Sequence, residues 1–268
     1  KKYWSYALKF NLPLIPHFLS MIVLNQCDRI MIANMCGESK AAVYGVAYNI
    51  GKIALIITSA ITSSFTPWMY EKLKSKDYKD TSKISFSLFM LVAGVVVGIL
   101  LFGPEVIRIF ATEEYMQAVY VIPPIAASAF FTFVYNQVST VEFFFGKSQY
   151  IMAASIVGAL INIILNYFAI TKFGFIAAAY TSLICYILFA ICHFSLMRML
   201  CRKNSINTEL FDLKKLLLLS AAMIAISIIA NFLYAFNIIR YILICMLVIT
   251  VIWQRKRVFS IVIGLKKK

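Results

Sequence analysis

The chain reads as an all-α, polytopic membrane protein. Three observations predict this: it is 62% hydrophobic with a mean hydropathy of +0.85, its apolar residues gather into runs long enough to cross a bilayer, and its basic residues collect in alternate loops. A hydrocarbon core of about 30 Å needs about 20 apolar residues of helix. Eight runs meet that length: Tyr6–Met35, Ala41–Trp68, Ile84–Phe102, Gln117–Phe145, Ile151–Ile170, Phe175–Leu196, Leu216–Ala235 and Phe236–Trp253.

The first and fourth runs exceed the required length and carry prolines (Pro13 and Pro16; Pro123 and Pro124). Proline removes a helix hydrogen bond, so kinks or tilt are expected there. The first two runs are joined by a short hairpin, Cys36–Lys40, and the third is followed by the longest loop of its side, Gly103–Met116, with Glu105, Glu113 and Glu114. A tight turn near Asn237 separates the last two runs. The basic tail Arg255–Lys268 encloses Val258–Leu265, too short to span, and is expected to lie along the interface.

The charge tests this map. With Lys1 on the cytoplasmic side, twenty Lys and Arg fall inside and four (Lys40, Arg108, Lys172, Arg240) outside, leaving Arg29 and Lys52 within the membrane. That asymmetry alternates across all eight runs and puts both chain ends in the cytoplasm. The net charge of +15 is therefore a topology signal, and no nucleic-acid partner is expected. The chain opens on Lys1-Lys2-Tyr3-Trp4, and its first apolar run is too long for a signal peptide. It is expected to be the C-terminal part of a longer protein. The six cysteines form no CxxC pair and read as small apolar side chains, not as a metal site or a disulfide framework.

An ionisable group at bilayer depth costs about 2.5–3.5 kcal/mol on insertion scales, so Asp28 and Lys52 call for a reason. At about 100° per residue, His17 and Asp28 point within about 20° of each other, and Ser20 and Asn25 share that half of the helix. In the second run Tyr48, Asn49, Ser59, Ser63 and Thr66 fall within about 60° of Lys52. Across the hairpin, Asp28 lies opposite Tyr48–Asn49, so the two charges can reach one interior surface. One reading is a self-neutralising pair of Asp28 with Lys52 or Arg29 between packed helices. The other is a solvated cavity wall, favoured by the polar stripes that accompany the charges. Asp28 and His17 are the candidates for ion coupling, because a buried carboxyl and an imidazole can change charge as their surroundings open and close. Glu142, five residues before Lys147, reads as an interfacial charge. Asn162 and Asn166, at i and i+4, read as amides that bond across helices.

The segment "INIILNYFAITKFGFIAAAYTSLICY" (Ile161–Tyr186) resembles the polysaccharide flippases of the multidrug/oligosaccharidyl-lipid/polysaccharide exporter superfamily. "LKFNLPLIPHFLS…CDRIMI", "AVYGVAYNIGKI" and "FGPEVIRIFATEEYMQAVYVIPPIA" resemble successive helices and a loop of the same family, in the same order. The resemblance implies a second six-helix lobe over residues 1–203, two additional helices over 204–254, and the tail. It further implies a missing N-terminal lobe of the same polypeptide and rocking alternating access. The implied substrate is an undecaprenyl-pyrophosphate-linked oligosaccharide, moved across the bacterial inner membrane among its lipids for O-antigen, capsule or exopolysaccharide assembly. Lys52 and Arg29 suit pyrophosphate, and Tyr48, Asn49, Ser59, Ser63 and Asn25 suit sugar hydroxyls. No Gly-rich phosphate loop is present, so ATP is not expected as a direct energy source, and no cofactor is expected. A cation-coupled multidrug or metabolite exporter of the same superfamily would favour acidic cavity groups. A membrane enzyme acting on lipid-linked glycans would need a larger catalytic loop or a His/Asp site. No enzyme is expected.

Overall fold

The computed structural model describes residues 14–111, 113–206 and 210–266, with Trp4, Leu8, Asn11 and Leu12, and side chains as far as Trp253. Among these residues the protein is 90% helical and without strands. Eight α-helices follow one another: α1 (Leu14–Cys36), α2 (Glu38–Ser75), α3 (Thr81–Phe110), α4 (Ile122–Phe144), α5 (Ser148–Phe173), α6 (Ala177–Lys203), α7 (Leu213–Leu233) and α8 (Asn237–Lys266). A 3-10 segment, Glu113–Val121, leads into α4. The all-α, multi-span reading therefore holds. Six helices are long and apolar enough to cross a membrane; the described part of α1 and the 17-residue apolar stretch Asn237–Trp253 fall short of that measure.

Several boundaries differ from the sequence expectation, each for a local reason. Pro16 sits in the first turn of α1, and Pro123 and Pro124 in the first turn of α4. A first turn has no carbonyl partner for its amides, so proline is accommodated there; Pro123 and Pro124 follow directly on the 3-10 segment, and Pro13 lies outside the described residues. The prolines inside helices are Pro67 in α2 and Pro104 in α3. The expected loop from Gly103 is helical to Phe110, because Ile107 is fully buried and Glu105 is held by Arg240. The hairpin between α1 and α2 shrinks to Gly37 alone, at φ 93°, a left-handed backbone suited to glycine. α8 continues through Lys266 as one helix, without a break before the basic tail.

The chain divides into two compact units. Unit 1 comprises Lys1–Tyr44 with Val134–Asn207, and unit 2 comprises Gly45–Phe133 with Thr208–Lys268. In unit 1, α1 packs on α5, and α5 on α6. α1 buries Leu14, His17, Ser20, Leu24, Asp28 and Ile32, one face repeating every three or four residues. Unit 2 packs α3 against α7 and α8 around an apolar centre, where Phe89 meets the edge of Phe133 at 5.7 Å. Among the described residues, its ionic contact between helices joins α8 to α3: Arg240 Nη2 donates to Glu105 Oε1 at 2.5 Å, and Tyr241 adds a bond to the same oxygen at 3.1 Å. Tyr234 Oη donates to the Leu100 carbonyl at 2.9 Å.

Candidate functional site

Asp28 is the centre of the most densely bonded cluster in unit 1. It is 1% exposed. Its Oδ2 accepts from Tyr44 Oη at 2.7 Å and Ser182 Oγ at 2.6 Å, and its Oδ1 accepts from Asn166 Nδ2 at 2.7 Å. These come from three different helices, α2, α6 and α5. Behind them, Thr181 Oγ1 donates to Asn166 Oδ1, Asn166 Nδ2 also reaches Asn162 Oδ1 at 3.2 Å, and Asn162 Nδ2 reaches Ser182 Oγ at 3.4 Å. The donors to the carboxylate are all neutral, so the cluster fixes the carboxyl by hydrogen bonds from three helices rather than by an ion pair.

Sequence reasoning found Asp28 and flagged the Asn162/Asn166 pair, whose amides do bond across helices. It missed Tyr44, Thr181 and Ser182. The tyrosine on the carboxylate is Tyr44, one turn before the Tyr48 that hairpin counting placed opposite Asp28. The single-residue connection at Gly37 accounts for the shift.

A second polar layer lies eleven residues from the first on three helices: His17 for Asp28, Ser155 for Asn166, and His193 for Ser182. Eleven residues make about three turns, so both layers lie on the same helix faces, roughly 16 Å apart along the axis. His17 Nδ1 and Ser155 Oγ are 2.5 Å apart. His193 Nδ1 meets Glu142 Oε2 at 2.8 Å, both side chains being fully buried. The expectation that Glu142 is an interfacial charge is overturned. It lies on the helix face that turns into the unit, where its Oε2 meets His193 Nδ1.

The other expected site residues lie as follows. Asn25 donates to its own helix at Met21 O, 2.6 Å away, and accepts from Tyr186 Oη at 3.5 Å. Arg29 donates to Gln26 Oε1 at 3.2 Å. On α2, the Lys52 ammonium sits over the Tyr48 ring at 4.4 Å. Tyr48 is buried and Lys52 half-buried, whereas Asn49, Ser59 and Ser63 are exposed. The hydroxyls of Ser59 and Ser63 bond back to Ile56 O and Ser59 O at 2.9 Å each. On α2, a helix of membrane-spanning character, these polar residues share the exposed side with Ile53, Ile56 and Ile57. Asp28 belongs to unit 1 and Lys52 to unit 2.

The chain belongs to the MatE family, whose model matches residues 13–168. A relative in Haemophilus influenzae, "Lsg locus putative protein 1", is 24% identical over 160 residues, covering 59% of this chain and 40% of its own length. Among solved structures, an outward-facing multidrug resistance MATE family transporter of the MOP superfamily superposes with a TM-score of 0.63 at 17% identity over 97% of this chain and 62% of that one. A MOP superfamily transporter from Pyrococcus furiosus, described as having a binding pocket of reverse polarity, gives 0.59 at 15% identity, with 97% and 62% covered. The Vibrio cholerae MATE transporter VcmN in the bent form gives 0.56 at 12%, with 97% and 63% covered. The fold is shared with these proteins. The chain spans 40% of the length of its curated relative and about three fifths of these structural neighbours.

Proposed function

We propose that this chain is the second lobe of a flippase that moves an undecaprenyl-pyrophosphate-linked oligosaccharide across the bacterial inner membrane for surface polysaccharide assembly. The first lobe of the same polypeptide would supply the facing wall. The observation that carries the reading is the exposed stripe of α2, where Asn49, Ser59 and Ser63 flank Lys52. Polar groups turned outward from a membrane helix gain nothing from lipid. They suit a water-filled cavity wall, with an ammonium for pyrophosphate and hydroxyls for sugar. Arg29 would add a second cation. Asp28 and His17 would serve ion coupling, since the neutral donors around Asp28 let its proton come and go. The twenty-to-four basic asymmetry supports cytoplasmic chain ends.

The second reading is a cation-coupled multidrug or metabolite exporter, favoured by the MatE match and by the buried carboxylate at the centre of unit 1. One experiment separates the two. In cells depending on the full-length protein, Lys52→Ala should abolish surface glycan at unchanged protein level, Lys52→Arg should retain part of it, and drug resistance should not respond. Loss of drug efflux with intact surface glycan would favour the exporter.

A further inference from the structure

We propose that Glu142 and His193 form a second proton-binding site in unit 1, separated from Asp28 by an apolar plug. Two observations support it. First, the pair is complete on one side and open on the other. His193 Nδ1 and Glu142 Oε2 are 2.8 Å apart at zero exposure, while His193 Nε2 and Glu142 Oε1 are buried with no hydrogen-bond partner among the described residues. A buried polar atom left unbonded costs about 1–3 kcal/mol, so a purely structural pair would be expected to close both atoms. An imidazole whose second nitrogen is left open is instead a site that can gain or lose a proton there.

Second, the pair has a wall between it and the Asp28 layer. Leu24, Tyr135, Ala159 and Phe189 form one buried cluster. Each of the three on α1, α5 and α6 lies in sequence between the members of the two polar layers. Phe189 stacks on His193 at 5.6 Å and meets Tyr135 edge-on at 5.5 Å, and Tyr135 lies 4.6 Å from His193. The backbone of α5 gives way for the plug at Gly158, where an added Cβ would overlap the Phe189 ring. Two protonatable layers on one set of helix faces, with an apolar cluster between them, form a divided proton path. The Glu142–His193 layer lies toward the helix ends that carry Lys147, Arg202 and Lys203.

The step is a simple acid–base exchange. In the loaded form the imidazolium donates Nδ1–H to the Glu142 carboxylate and carries the exchangeable proton on Nε2, and the pair is neutral. On release the Nε2 proton passes to water, Nδ1–H stays on the carboxylate, and the pair carries one negative charge. The titratable groups near it are His17 on α1, Tyr135 on α4 and Cys192 on α6. A use in transport rests on the reading above; the proton binding itself does not.

The test is nitrogen NMR of the full-length protein with labelled imidazole, in nanodiscs and without substrate. The His193 signal is assigned by its loss in His193→Gln. As pH is stepped across the range in which the protein stays folded, Nε2 should change from protonated to bare while Nδ1 stays protonated. In Glu142→Gln that change should move to lower pH. Should Glu142→Gln fail to fold, Glu142→Asp takes its place, and the wild-type titration is decisive alone. A His193 fixed in one state across the range, or titrating identically in the Glu142 variant, overturns the proposal. Loss of the flippase reading would leave this measurement unaffected.

Discussion

The two units differ in how far their buried polar groups bond across helices, although back-bonded hydroxyls such as Ser155 and Thr58 occur in both. In unit 1, Asp28, Asn162, Asn166, Ser182, His17, Ser155, Glu142 and His193 bond to one another across helices. In unit 2, Thr58 and Ser128 bond back to carbonyls of their own helices, at Leu55 and Pro124, and the centre is aromatic and aliphatic. Back-bonding is indifferent to where the neighbouring helix stands. A side-chain network between helices fixes their positions and reports any change in them, since breaking one bond strands several buried groups. The difference marks unit 1 as the part whose helix positions are fixed by side-chain bonds, and unit 2, among the described residues, as apolar packing with an ionic clasp between α8 and α3.

The largest expected effect lies in the Asp28 network. Asp28→Leu should leave the donors of Tyr44, Asn166 and Ser182 without their acceptor, at about 1–3 kcal/mol for each that stays unbonded. Thermal unfolding in detergent should show a marked drop in Tm. A variant as stable as wild type would show that unit 1 tolerates its network as unit 2 tolerates back-bonded hydroxyls. The matching cut in unit 2 is Arg240→Met, which leaves Glu105 without its cation. Glu105 keeps 24% of its side-chain exposure, so the loss should be smaller, about 1–3 kcal/mol. Adding Glu105→Gln should recover part of it, and faster hydrogen exchange should be confined to α8 and the end of α3.

Next comes the plug. Gly158→Ala should force the Phe189 ring aside and cost about 1–3 kcal/mol by overpacking. The control is Gly94→Ala in unit 2, where an added Cβ meets nothing within 4 Å and Tm should hold or rise. Equal effects at the two glycines would remove the distinction between a tight plug and ordinary helix packing.

The smallest effect is at the start of α7. The Asp212 carboxyl is held below its usual range, first by the Lys215 side chain at 2.8 Å and then by the Lys215 backbone N–H at 3.1 Å. Because the folded form binds the proton more weakly, its contribution is present above the ordinary carboxylate range. It is lost as pH falls through the lowered value. Protection of the first-turn amides of α7, taken relative to the intrinsic exchange rate at each pH, should therefore fall on acidification, and Asp212→Ala should lower that protection at neutral pH as well. Protection independent of pH in the wild type would remove the cap from the account.

Much of this was legible in the chain order. Asp28 and His17 declared themselves because an ionisable group inside an apolar run is costly, and a count of eleven residues put them on one face. The Asn162/Asn166 spacing likewise showed a shared face. Tyr44, Ser182 and His193 carried no such signal: a tyrosine, a serine and a histidine in an apolar helix look alike whether they meet a carboxylate or a methyl group. Glu142 was misread because proximity to Lys147 in the chain says nothing of which way a helix face turns.

The sequence by itself determined that this is a membrane bundle, how many apolar runs it has, which loops are basic, and which helix faces are polar, since hydropathy and period are local properties. The tertiary structure alone decided which faces meet. The three-turn spacing of two polar layers exists separately on α1, α5 and α6, but only their packing aligns Asp28 with Asn166 and Ser182, pairs Glu142 with His193, and seats Phe189 between the layers. The physical reason is that burial and hydrogen-bond partnership belong to pairs of helices, and no single helix encodes its neighbour.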